Sequence, residues 1–143
     1  MESGPGYRWY GQEFKARLRQ HVNANLDRAA IFLTNDIKNS FGNSGVTGTR
    51  SGATQSQRAA NRSEPWGPPN VDTGHLRRNV GWTKYAIGKG HRKIGTGIGD
   101  KESVGYAMWL EFGTRKMQPR PFLRPALSRN ADKLRQMIGR PMR

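Results

Sequence analysis

The chain has 143 residues, with 25 Lys and Arg against 10 Asp and Glu, a formal net charge of +15. That length suits one domain with a single core, and a hydrophobic content of 34% leaves part of the chain outside it. The absence of cysteine excludes disulfides and thiolate metal sites, and the charge predicts attraction to a polyanion or an acidic protein surface. The first residues, MESGPGYRWYGQEF, lack a basic stretch followed by an apolar core, and no later window approaches a membrane span. A soluble, unexported chain is expected.

Residues 1–10 form a lead-in carrying Tyr7, Trp9 and Tyr10, too short to fold alone and suited to a contact arm. Over 11–41, Phe14, Leu18, Val22, Leu26, Ala29, Leu33 and Ile37 recur at steps of three and four, which predicts a long amphipathic helix. Lys15, Arg17, Arg19, Arg28 and Lys38 fall mostly off the apolar stripe, and Gly42-Asn43 supplies a stop. Residues 42–70 then turn polar, with little apolar beyond Val46, a few alanines and Trp66. Such a stretch buries too little surface to offset its ordering entropy, so a flexible loop is expected, ordering against a neighbouring subunit.

Asp72 or Thr73 can cap a turn or short helix containing Leu76. Residues 80–87 and 92–98 are rich in β-branched and aromatic residues about Gly88-Lys89-Gly90, which predicts a β-hairpin, and 99–102 make the next turn. The stretch 104–112 fits either period; its Ala, Met, Leu and Glu, with Gly113 as a stop, favour a short helix. Pro119, Pro121 and Pro125 each restrain their neighbours, so 113–125 is expected to be a stiff extended arm. Leu123, Leu127, Ala131, Leu134 and Ile138 give the stripe of a C-terminal helix with Pro125 in its first turn, and 126–143 comprise that helix and a basic tail. The expected fold class is α+β: two helices packed on a small antiparallel sheet, with one long loop.

Chemical motifs are sparse. Gly95, Gly97 and Gly99 brush against a dinucleotide-loop pattern, but the spacing is wrong and no helix follows directly. His21, His75 and His91 are too scattered for metal-ligand spacing. Glu111 is the one acid in its neighbourhood, and with Arg115, Lys116 and Arg120 close by it reads more simply as half of a subunit-joining ion pair than as an acid-base catalyst. Neither catalytic nor cofactor-binding nor metal-binding residues are expected, and the chain reads as no enzyme. The serious rival to an assembly role is a basic nucleic-acid-binding protein, because a pI near 11.3 with interleaved Arg and aromatic residues is its electrostatic footprint. No helix-turn-helix, zinc-finger or ribonucleoprotein-type signature accompanies that charge.

The stretch 106–127 gathers four aromatics, three prolines and a basic run. Within it Tyr106, Ala107, Glu111, Phe112, Gly113 and Thr114, followed by Arg120, Pro121, Phe122, Pro125 and Ala126, resemble the signature of bacteriophage tail-completion and neck proteins, known as minor tail components of long-tailed phages. A second patch, PWGPPNVDTGHLRRNV over 65–80, is similar to the family's proline-rich approach to an Asp-Thr-Gly-x-Leu-Arg segment, although Trp66 stands where such patches carry a smaller or acidic residue. The resemblance implies a virion protein, made in the host bacterial cytoplasm, that forms a homo-oligomeric ring at the head-tail junction. Six copies are favoured and twelve are the alternative. Its partners would be the head connector or stopper and the tail terminator or tail tube, with non-specific contact to DNA in the channel and none to a membrane. The expected subunit and partner interface comprises Trp66, Asp72, Thr73, Leu76, Tyr106, Trp109, Glu111, Phe112, Gly113, Thr114, Arg115, Arg120, Pro121, Phe122 and Pro125, with Phe122 as apolar anchor.

Overall fold

In the computed structural model, residues 10–42, 63–71, 74–85, 90–98 and 105–142 are described. The long helix expected from periodicity is α1, Gly11–Ser40. It runs uninterrupted because neither proline nor an internal glycine breaks it, and it ends where Phe41 turns extended and enters the core. A short helix α2, His75–Asn79, leads into the hairpin of β1, Val80–Tyr85, and β2, His91–Thr96. Helix α3, Tyr106–Phe112, follows, and α4, Leu123–Ile138, closes the fold.

The strands pair antiparallel, in register from Val80 with Thr96 through Gly81 with Gly95 to Tyr85 with His91. β2 starts one residue before the expected 92 and ends at Thr96, short of 98, while residues 86–89, which include the end of the expected 80–87 strand, lie outside those described. For 104–112 the helical alternative holds over Tyr106–Phe112. Two helices with a small antiparallel sheet make the fold α+β, as expected.

Helix α1 lies between two partners. On one side its Asp27 meets Arg92 of β2 and Lys84 of β1, while its Asn23 accepts from Arg92. On the other side α4 runs antiparallel to it. Asp36 near the end of α1 takes Arg129 and Asn130 from the first half of α4, and Asn25 donates to the carbonyls of Ile138 and Arg140 at its far end. Ala29, Leu33, Ile37 and Phe41 join Leu76, Val80, Ala107, Phe122, Ala126 and Leu134 in one core. Burial of this apolar surface is the main term holding the helices together.

Three features depart from expectation. The apolar stripe of α1 is buried only in its second half: Ala29, Leu33 and Ile37 are inside, whereas Phe14, Leu18 and Val22 are exposed. Helix α4 is 16 residues against 30 in α1, so it ends before it can cover them. The polar excursion 42–70 is tied at its base, because Gly42 and Asn70 form a parallel bridge in which Gly42 donates to Pro69 and Val71 donates to Gly42. Its expected mobility concerns 43–62, which lie outside the described residues. The proline-rich stretch after α3 is not a free arm. It is strapped back onto the chain by hydrogen bonds set out below, since its backbone groups find partners on the chain itself.

Candidate partner-docking site

The stretch from α3 to α4 is built around Glu111. This carboxylate is buried, and it accepts the backbone N–H groups of Phe122 and Leu123 on one oxygen, at 2.8 and 3.0 Å, and of Arg124 on the other, at 3.0 Å. The first N–H groups of a helix have no intrahelical partner and carry its positive dipole end. Phe122 caps α4 without a side-chain hydrogen bond of its own, so Glu111 supplies the anionic cap from the preceding helix. A subunit-joining ion pair is therefore the wrong reading of Glu111: its oxygens are buried and engaged inside the chain.

Between the two helices the backbone makes a tight turn. Gly113 adopts φ 77° and ψ −179°, a conformation open almost only to glycine, and a Cβ there would stand 2.9 Å from the Met117 carbonyl and 3.0 Å from Pro119. Thr114 and Met117 exchange backbone hydrogen bonds across Arg115 and Lys116. Arg120 then donates its backbone N–H to Leu110, closing the strap on α3.

The strap also receives the chain ahead of α2. Trp66 donates its backbone N–H to the Pro119 carbonyl at 2.8 Å, and Arg120 Nε donates to the Ser63 carbonyl at 3.0 Å. The two patches that carry the resemblance, distant in sequence, thus meet in space. Between them opens a cavity of about 810 Å³, with Phe41, Pro65, Leu76, Leu110 and Met117 among its apolar walls and Arg77, Lys116 and Arg120 at its polar ones. The Ser63 hydroxyl is buried without a hydrogen-bond partner.

Phe122 is 1% exposed, its ring 5.3 Å from that of Phe41, so it anchors this chain's own core and cannot reach a partner in this conformation. Leu76 is likewise a core residue. Asp72 and Thr73 lie outside the described residues. Of the other expected interface residues, Trp66, Tyr106, Trp109, Phe112, Thr114, Arg115 and Pro125 are exposed, whereas Gly113, Arg120 and Pro121 are half-buried in the strap.

Of the expected interface, the largest exposed side chains that share one element lie on α3. Met108, Trp109 and Phe112 are 62%, 54% and 57% exposed, and their spacing of three and four places them on one side of the helix. Arg124 lies over the Phe112 ring at 4.3 Å, which carries the patch onto α4, where Leu127 is also exposed. Trp66, held with φ 65°, is exposed on the segment bonded to the strap. Arg124 supplies positive charge against Phe112, and Arg115 and Lys116 are exposed on the turn that follows α3. Exposed aromatics with arginine are the composition of interface hot spots. Met108 was missed in sequence because as a helix former it reads as core; only the direction of α3 reveals it as surface.

Among the described residues no group of His, Cys, Asp or Glu could hold a metal ion, and no helix is long and apolar enough to cross a membrane. Comparison with protein-family models, curated proteins and solved structures finds no match for this chain.

Proposed function

We propose that the protein is a structural component of a tailed-bacteriophage virion, forming a ring at the head-tail junction that joins the head connector to the tail tube. The observation that carries this reading is the Tyr106–Leu127 segment. Its family-like residues divide between those that build a rigid unit, Glu111, Gly113 and Phe122, and those that the unit displays, Tyr106, Phe112 and Thr114, with Trp109 and Arg115 exposed beside them in the chain. A rigid aromatic patch with a basic rim suits docking without catalysis. Subunits would close head-to-tail into a ring, six copies matching a six-fold tail tube, with twelve as the alternative. The basic surface would divide between acidic partner rings and DNA in the channel.

A second reading, a basic nucleic-acid-binding protein without catalytic activity, is favoured by the net charge of +15. Salt separates the two. Tight DNA binding with sequence preference at physiological salt supports the second reading, and weak binding abolished by added salt supports the first. The test of the first is electron microscopy of particles produced without this gene and with it supplied in trans. DNA-filled heads beside unattached tails, rescued by complementation, are expected; normally joined particles in its absence overturn the proposal.

A further inference from the structure

The row of α1 that faces α4 does not stop where α4 stops. Asp36, Phe32 and Asn25 make that contact: Asp36 accepts from Arg129 and Asn130, Lys133 lies 4.5 Å above the Phe32 ring, and Asn25 donates to Ile138 and Arg140. Counting back from Phe32 in steps of seven gives Asn25 and then Leu18, with Phe14 four residues earlier, so the same side of the helix continues beyond the α4 terminus. There it is bare. Phe14, Leu18 and Val22 are 56%, 42% and 38% exposed, and Ile138 at the end of α4 and Met142 in the residues after it are exposed too. The overhang, about ten residues, is roughly 15 Å long.

Charge determines what can cover this row. Lys15 and Arg19 are exposed and stand three residues before Leu18 and Val22, and with exposed Arg17 they outnumber the one acid of this half of the helix, Glu13. Arg140 is exposed at the end of α4. A second copy of this chain is poorly suited as occupant. Of its described acids, Asp27, Asp36 and Asp132 hold arginines of the same chain and Glu111 caps α4, which leaves Glu13 and Glu64 exposed against a net charge of +15. A second copy would bring mainly further positive charge. An anionic membrane is a poor fit as well, because surface-binding helices carry a broad apolar face, and this row is a narrow seam of the width that helix pairs use.

We infer that the N-terminal half of α1 is a docking surface for an acidic amphipathic helix of a different protein, lying where α4 would continue if it were longer. The inference stands independently of the proposed function. Its test is fluorescence anisotropy with the full chain and three designed helical peptides that share a leucine seam and differ only in acidic, neutral or basic flanks. The acidic peptide is expected to bind best. Leu18→Asp should weaken it roughly tenfold without changing the thermal midpoint, since Leu18 is exposed. The pair Lys15→Glu and Arg19→Glu should transfer the preference to the basic peptide. Absent or charge-indifferent peptide binding overturns the inference, as does a dimer of the free chain broken by Leu18→Asp. Tighter binding to anionic vesicles than to the acidic peptide also overturns it. So does amide protection around Leu18 that disappears when residues 1–9 are removed, which would make the chain's own N-terminus the occupant.

Discussion

The Glu111 carboxylate accepts the Phe122 backbone N–H at 2.8 Å, a contact from one helix to the residue that opens the next. Because the same side chain also receives Leu123 and Arg124, it fixes the angle between α3 and α4 and with it the exposed face of α3. Glu111→Ala leaves three N–H groups without their acceptor and should destabilise the isolated chain by about 2–4 kcal/mol. Glu111→Gln keeps one carbonyl acceptor and should cost about half as much. Urea unfolding of the two variants measures both; equal stability to wild type would mean that the cap contributes nothing.

Core and surface aromatics should separate cleanly on substitution. Phe122→Ala removes a fully buried ring and should cost about 3–5 kcal/mol. Trp109→Ala and Phe112→Ala remove rings more than half exposed and should stay within about 1 kcal/mol of wild type. Thermal melts followed by circular dichroism read all three. The surface pair is therefore the right probe of partner binding, and Phe122→Ala is not.

Gly113→Ala places a Cβ against the Met117 carbonyl and Pro119 in a region of backbone space that L side chains avoid. A loss of about 2–4 kcal/mol is expected from strain and contact together. Gly105→Ala, where a Cβ meets nothing within 4 Å, should be close to neutral and serves as the control. Similar melting temperatures for the two would contradict the geometry of the turn.

Asp27 predicts a pH dependence. Partial burial pushes its carboxyl up, but the hydrogen bond and charge of Arg92, with the charge of Lys84, outweigh this and hold it below the ordinary 3.8. A carboxyl depressed on folding contributes its stability above the unfolded value, and the contribution is lost as pH falls through the folded one. Asp27→Asn should thus cost about 1 kcal/mol near neutral pH, and the difference from wild type should shrink progressively below about pH 4. Paired urea titrations across that range check the sign; a difference that grows on acidification would refute it.

Much of this architecture was legible in the residues. The stripe Leu123 to Ile138 marked α4, because its apolar positions recur at helical steps and Pro125 sits where a first turn tolerates it, although the helix begins at Leu123, inside the expected arm 113–125, and not at 126. The hairpin followed from β-branched residues about glycine. The role of Glu111 could not be read, since its partners are backbone N–H groups, which leave no trace in side-chain identity. Phe122 was misjudged for a related reason. Three prolines describe a stiff segment but not its direction, and only the bonds from Trp66 to Pro119 and from Arg120 to Leu110 turn it inward. The bare half of α1 was equally hidden, because Phe14 and Leu18 repeat like core residues and the length of α4 decides that they are not covered.

The central claim, that the α3 face joins head to tail, is tested most directly by counting joined particles in electron micrographs when the gene is replaced by its Trp109→Ala, Phe112→Ala double variant. The variant should accumulate and fold as wild type does, while DNA-filled heads and free tails take the place of complete virions. Complete virions at wild-type frequency, with the variant stably present, would contradict the account.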